Sequence, residues 1–159
     1  MKILFIVPGW SPSNLWGQMK FKFPPLSVLT LAASTPEEVE VSIVDENLEE
    51  IRFETEADLV GITVMTPQAL RAYEIADKFR DNGRKVVLGG FHVSHLPEEA
   101  LNHADAVVIG EGDRIWKEVI KDFQESRLKK MYKDNEPRCC IKMWLNQLHA
   151  PIKRLFLPF

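Results

Sequence analysis

Lys85-Val86-Val87-Leu88-Gly89-Gly90-Phe91-His92-Val93-Ser94 is an apolar run that ends abruptly at two glycines. A short apolar run bounded by turn signals reads as a strand buried on both faces, the habit of a parallel sheet. Glycines at its end let another group approach the backbone, because no Cβ stands in the way. In an open α/β sheet, ligands bind beyond the carboxyl ends of the strands. Gly89 and Gly90 therefore stand where a ligand is expected. A glycine pair that only makes a tight turn is the plainer reading, and this stretch alone does not choose between them.

Similar apolar runs lie on either side. Lys2 to Val7 reads as strand one, Val39 to Val44 as strand two, Asp58 to Met65 as strand three and Ala106 to Ile109 as strand five. Between them are helical patterns. Pro24-Pro25 opens a helix whose Leu26, Val28, Leu29, Leu31, Ala32 and Ala33 are apolar nearly all round, which predicts deep burial. A short, weak helix is expected over Leu48 to Phe53. Thr66-Pro67 marks the start of the next, with Thr66 as N-cap, and Asn82-Gly83 stops it. Its Ala69, Ala72, Tyr73, Ala76 and Phe79 share one face. Leu96-Pro97-Glu98-Glu99 opens another short helix, and Asp113 caps a last one striped by Ile115, Trp116, Val119, Ile120 and Phe123.

Strands alternating with helices imply an α/β fold, a flavodoxin-like or Rossmann-like open parallel sheet of five strands in the order 2-1-3-4-5, with helices on both faces. The loops after strands one, three, four and five then converge on one edge. They hold Trp10 to Phe23, Thr66-Pro67, Gly89 to His92, and Gly110-Glu111-Gly112. Residues 1–126 form this domain, and residues 127–159 form a tail without a readable pattern beyond one extended stretch, Arg127 to Tyr132. Leu155-Phe156-Leu157-Pro158-Phe159 at its end leaves three readings open: packing on the sheet, a homo-oligomer contact, or disorder.

Composition narrows the function classes. The chain has 159 residues, 45% of them hydrophobic, and a net charge of −3. That balance carries no footprint for nucleic acid or an anionic membrane. No apolar run is long enough to span a bilayer, and the first run lacks a small-residue cleavage site, so the cytoplasm is the default location. Cys139 and Cys140 are adjacent, which matches neither a disulfide framework nor a metal site, and no base lies evidently beside them. His92, His95 and His103 have no metal-ligand spacing. Pro8-Gly9-Trp10-Ser11-Pro12 after strand one is not the glycine pattern of a dinucleotide site. Asp45 at the end of strand two is weak support for a ribose contact. Met65 stands where a phospho-acceptor domain needs an aspartate, and prolines and aromatics interrupt the serines that a flavodoxin phosphate loop would use.

Five pieces, in order over residues 1–125, carry a family resemblance: Phe23-Pro24-Pro25-Leu26-Ser27-Val28-Leu29, Val44-Asp45-Glu46-Asn47-Leu48, Asp58 to Thr66, Val87-Leu88-Gly89-Gly90-Phe91-His92-Val93, and Val108-Ile109-Gly110-Glu111-Gly112. The chain resembles the cobalamin-binding N-terminal domain of radical S-adenosylmethionine enzymes, such as anaerobic magnesium-protoporphyrin IX monomethyl ester cyclase and related methyltransferases. The resemblance implies a channel at the sheet edge for the nucleotide tail of cobalamin. Thr63 and Met65 would lie beside the tail, with Thr66 following them, and Gly89 and Gly90 would pack against it. Phe91 and His92 would line the same channel. Gly110, Glu111 and Gly112 would approach the ring or tail, and Trp10 and Ser11 would stand at the start of the loop facing the ring. Ordinary core is the plainer reading of Thr63 and Met65.

Two departures shape the expectation. The Asp-x-His-x-x-Gly motif that ligates cobalt in methionine synthase-like domains is absent, so no histidine is expected below the metal. The Cys-x-x-x-Cys-x-x-Cys motif of the radical domain is also absent, so an iron–sulfur cluster and S-adenosylmethionine belong to a missing or partner domain, and this chain alone should not turn over. The resemblance thus implies a cobalamin-binding module that positions the corrin for a radical S-adenosylmethionine domain, in cis or in trans, for methyl transfer or tetrapyrrole cyclisation. The alternatives are a degenerate interaction domain and a small enzyme using a flavin or nucleotide in the same crevice. On this reading Gly90→Val should weaken cobalamin binding and leave the fold largely intact, except that a Gly90 with positive φ would have its backbone strained as well.

Overall fold

The computed structural model describes residues 1–11, 13, 18 and 25–134. Six strands form one sheet: β1 (Lys2–Val7), β2 (Glu40–Asp45), β3 (Leu59–Thr63), β4 (Lys85–Gly89), β5 (Ala106–Ile109) and β6 (Met131–Lys133). Their order is β2-β1-β3-β4-β5-β6, and every pairing is parallel. Parallel neighbours need crossover connections, which here place helices on both faces. The helices are α1 (Leu26–Ser34), α2 (Ala69–Asp81), α3 (Phe91–His95), α4 (Pro97–Leu101) and α5 (Gly112–Gln124).

The period-two geometry of a strand divides the apolar residues between two cores. Leu4, Ile6, Val60, Ile62, Val64, Val86 and Leu88 face α2, whose Ala72, Tyr73, Ala76 and Phe79 complete that layer. Ile3, Phe5, Leu59, Val87 and Val108 face the other way, toward Val28 of α1 and Ile115, Trp116, Val119 and Ile120 of α5. The shared helical faces expected for α2 and α5 are thus the buried ones.

The fold is the expected flavodoxin-like one with a strand added. Met131–Lys133 lies in the stretch 127–159 and pairs with Val107, Val108 and Ile109 of β5. Tyr132 is buried there, donates to Asp122 Oδ2 at 3.1 Å and accepts from the Lys129 N–H at 3.0 Å. These bonds tie the short strand to α5.

Four local expectations are corrected. No helix forms over Leu48 to Phe53; Asp45 closes a turn with Leu48 N–H and Glu49 N–H, and the chain then runs irregularly. Ile51 and Phe53 both pack on the core. Residues two apart share a face in extended chain and not in a helix. Helix α1 is not deeply buried: only Val28 is fully covered, while Leu26 is 70% and Leu29 44% exposed. It packs against α5 and touches the sheet at β1, beside a gap described below. Thr66 does not cap α2 but opens a tight 3₁₀ turn, Thr66–Gln68, and its hydroxyl meets His92 instead. Glu111, not Asp113, occupies the N-cap of α5; Asp113 lies in the first turn, where the helix dipole favours an acid.

Candidate functional site

The gap follows from which residues β3 and β4 present to the α1 and α5 side. At their carboxyl ends these are Gly61, Thr63 and Gly89, which carry little or no side chain. A slot of about 410 Å³ opens there, between the sheet, α1 and α5. That is within the common size range of small-molecule sites, about 300–1,000 Å³. Its floor is the Phe5–Trp116 pair, with ring centroids 5.2 Å apart and planes tilted by 44°. Val28 and Leu31 of α1 and Val108 of β5 make apolar walls. Gly61 permits the floor, since a Cβ there would stand 2.8 Å from the Phe5 ring. A hydroxyl pair, Ser27 Oγ and Thr63 Oγ1, 3.3 Å apart, is the polar feature beneath α1.

Two glycine turns frame the mouth. Gly90 has φ 102° and ψ −173°, a region almost closed to other residues. Its neighbours are held on the end of β3: the Val64 N–H donates to Gly89 O at 2.8 Å, and the His92 N–H donates to Val64 O at 3.0 Å. Ser94 joins this turn to the next, donating to Gly90 O at 2.9 Å and accepting from the Gly110 N–H at 3.0 Å. On the opposite side of the edge, the Gly9 N–H donates to Glu46 Oε2 at 2.7 Å and the Trp10 N–H to Asn47 Oδ1 at 3.0 Å. Arg71 grips Glu46 with Nε at 3.0 Å and Nη2 at 2.5 Å. Burial alone would raise the Glu46 carboxyl, but Arg71 and the Gly9 N–H outweigh it and hold it below the ordinary carboxylate range.

Seven of the residues expected at the site line the slot: Thr63, Gly89, Gly90, Phe91, Gly110, Glu111 and Gly112. Met65 and Thr66 are exposed beyond the end of β3 and do not line it. Trp10 and Ser11 begin the loop after β1, where the Ser11 hydroxyl meets that of Ser13 at 2.7 Å, and they too lie outside the slot lining. Most of the loop from Gly9 to Phe23, with Cys139, Cys140 and His149, lies outside the described residues. His92 belongs to the α2 side of the sheet. Its buried ring meets Thr66 Oγ1 at 3.3 Å and Glu99 Oε1 at 3.3 Å, near the ring of Tyr73. Gly61, Ser27, Leu31, Ser94 and the Phe5–Trp116 floor were missed. A glycine inside an apolar strand was the available signal for the first.

Gly90 has the positive φ that was the exception, so Gly90→Val does not spare the fold. A Cβ at Gly90 would stand 2.9 Å from Val64 N and 3.0 Å from Val64 O, against backbone and not in free space. At Gly89 the nearest atom to such a Cβ is Val108 Cβ, at an ordinary 3.6 Å, so this glycine keeps the slot open without being needed by the backbone. Among the described residues no His, Cys, Asp and Glu cluster is arranged to hold a metal ion, and no helix is long and apolar enough to cross a membrane.

Residues 15–120 match the B12 binding domain family. Over 108 residues the chain is 47% identical to bacteriochlorophyllide d C-8(2)-methyltransferase of Chlorobaculum tepidum, an alignment that covers 67% of this chain and 24% of that protein. It is 37% identical over 76 residues to bacteriochlorophyllide d C-12(1)-methyltransferase of the same organism, covering 48% and 17%. An uncharacterized methyltransferase of Pyrococcus horikoshii is 33% identical over 140 residues, covering 80% and 30%. The chain therefore spans less than a third of each of these relatives. With that match from residue 15 to residue 120, on a flavodoxin-like sheet with a slot at its carboxyl edge, the chain belongs to the B12-binding domain family, and cobalamin is its cofactor.

Proposed function

We propose that this domain takes the nucleotide tail of cobalamin into the slot and presents the corrin at the carboxyl edge to a radical S-adenosylmethionine domain, in cis or in trans. The observation that carries the reading is the slot itself. Its depth comes from missing side chains at Gly61 and Gly89, its walls are Val28, Leu31 and Val108, and its floor is aromatic. A flat, largely apolar base fits such a space, and Ser27 and Thr63 offer it hydrogen bonds. Gly110 and Gly112 leave room at the mouth.

When bound, cobalamin supplies the cobalt–carbon chemistry of methyl transfer. The protein's residues bind, orient and exclude water from it. The names of the relatives support methyl transfer as the whole protein's reaction, and those of the two Chlorobaculum tepidum proteins support a tetrapyrrole-type substrate. Tetrapyrrole cyclisation is the second reaction class of such a module.

Anaerobic titration with cobalamin, followed by absorption and electron paramagnetic resonance of the cobalt(II) form, tests this. The expected outcome is stoichiometric binding with no nitrogen splitting on cobalt, because the tail's base occupies the slot and no histidine replaces it. Gly89→Val should lower the affinity at least tenfold with the fold intact. Binding that retains the nitrogen splitting of the cofactor's own base, or that is indifferent to Gly89→Val, would place the tail elsewhere. Absence of cobalamin uptake would refute the proposal.

A further inference from the structure

Behind the sheet edge lies a hydrogen-bonded row that the slot does not use: Tyr73, Glu99, His92 and Thr66. The Tyr73 hydroxyl donates to Glu99 Oε1 at 3.0 Å. His92 Nε2 lies 3.3 Å from the same oxygen, and its Nδ1 lies 3.3 Å from Thr66 Oγ1. Tyr73 is itself held in place, its ring stacked on His103 at 4.3 Å and 7°, with His103 Nδ1 2.8 Å from Asp77 Oδ2. His92 is anchored through its backbone to Val64.

The donor and acceptor inventory gives this row a direction. An ionised carboxylate only accepts, so Nε2 facing Glu99 must carry a proton. A neutral imidazole then has Nδ1 as its acceptor. The hydrogen that Nδ1 accepts can only come from the Thr66 hydroxyl. Thr66 spends its one donor on His92, and it is exposed at the carboxyl edge with lone pairs alone to offer.

The geometry points to His92 and Glu99 as positioning residues that lock the exposed Thr66 hydroxyl as a hydrogen-bond acceptor for an N–H donor, the carboxamide groups on the corrin periphery being the matching chemistry. This rests on the proposed function above. Because Tyr73 and Nε2 meet the same oxygen, Glu99→Gln keeps the row, its amide oxygen accepting from both. Glu99→Ala removes that acceptor, so Nε2 is no longer held as the donor and the Thr66 hydrogen is free to turn outward, toward the incoming N–H.

Nitrogen-15 NMR of His92 reads the direction without any cofactor, and cobalamin titration of the full chain reads its consequence. The wild type and Glu99→Gln should show the Nε2–H tautomer, and Glu99→Ala should not hold it as the sole form. Thr66→Val should raise the cobalamin Kd about tenfold, the net worth of one hydrogen bond; Glu99→Ala should raise it as well, and Glu99→Gln should leave it at the wild-type value. In a Thr66→Val background, Glu99→Ala should add nothing, which a merely structural role for Glu99 would not produce. A doubly protonated or Nδ1–H His92 in the wild type would overturn the inference, as would additive effects or an unchanged Kd in Glu99→Ala. A wild type with the expected tautomer that takes up no cobalamin would instead overturn the functional reading, and the acceptor role with it.

Discussion

Gly89 and Gly90 are adjacent in sequence, yet their alanine substitutions should change stability in opposite directions. At Gly90 the backbone has φ 102° and ψ −173°, and holding a side chain there costs about 1–3 kcal/mol. The new Cβ would also press on Val64 N at 2.9 Å and Val64 O at 3.0 Å. Those atoms carry the bonds to Gly89 O and from the His92 N–H, each worth about 1 kcal/mol net. Losing both brings the total for Gly90→Ala to roughly 3–5 kcal/mol. Domains are stable by only about 5–15 kcal/mol, so the variant should unfold at a far lower urea midpoint with an unchanged slope. At Gly89 the Cβ meets only ordinary contacts, and removing glycine from a strand stabilises by about 0.5 kcal/mol. Urea unfolding of the cofactor-free chain followed by circular dichroism measures both. A Gly90→Ala variant within 1 kcal/mol of the wild type (about the worth of one hydrogen bond), or a Gly89→Ala variant as damaged as Gly90→Ala, would refute the assignment of one glycine to the backbone and the other to the slot.

Ser94→Ala should destabilise by about 1 kcal/mol and speed hydrogen exchange at the Gly110 amide, which loses its acceptor. Tyr132→Phe removes the hydroxyl between Asp122 and Lys129 N; urea unfolding should show a loss of about 1 kcal/mol, the net worth of a hydrogen bond, since Asp122 keeps Arg127 and the Lys129 ammonium as partners. Glu46 makes one contribution to the pH dependence of stability. Its carboxyl is held below the ordinary range in the fold, so its contribution is fully present above the unfolded value, about 4.3, and is lost as pH falls through the lower folded value. Glu46→Gln should therefore cost about 1 kcal/mol at neutral pH, a figure discounted for solvent screening of the partly exposed pair, and the gap to the wild type should close as the pH falls below about 4. A gap that stays constant from pH 7 to pH 3 would show that the carboxylate charge is not what holds Gly9 and Arg71; both ends of that range bracket the ordinary carboxylate pKa, about 4.

Local pattern carries a great deal of this molecule. The apolar runs and the helical stripes between them were enough for a parallel sheet in the order 2-1-3-4-5, and therefore for an edge where the loops after β1, β3, β4 and β5 meet. Those are short-range properties, set by period and by turn residues. The motif pieces were enough for the cofactor, because they are local too. Tertiary structure alone decided which face of the sheet each residue serves. Thr63 ends β3 and Gly89 ends β4, and both line the slot, while Thr66 and His92, three residues further on in each case, lie beyond the strands and belong to the row behind the sheet. Strand alternation stops where the strands stop, so the turns after them, packed on one another, set where Thr66 and His92 go. The slot's depth likewise needed distant partners. Phe5 lies over Gly61, Leu31 reaches to 3.1 Å from where a Gly112 Cβ would stand, and α1 packs on α5 as well as on β1. Tyr132 lies in an extended stretch expected from the sequence, but its pairing with Val108 and its hydroxyl's bonds to Asp122 and Lys129 come from the fold. Each of these is a contact between positions set together by the packing of whole elements, and periodicity records only what one element does by itself.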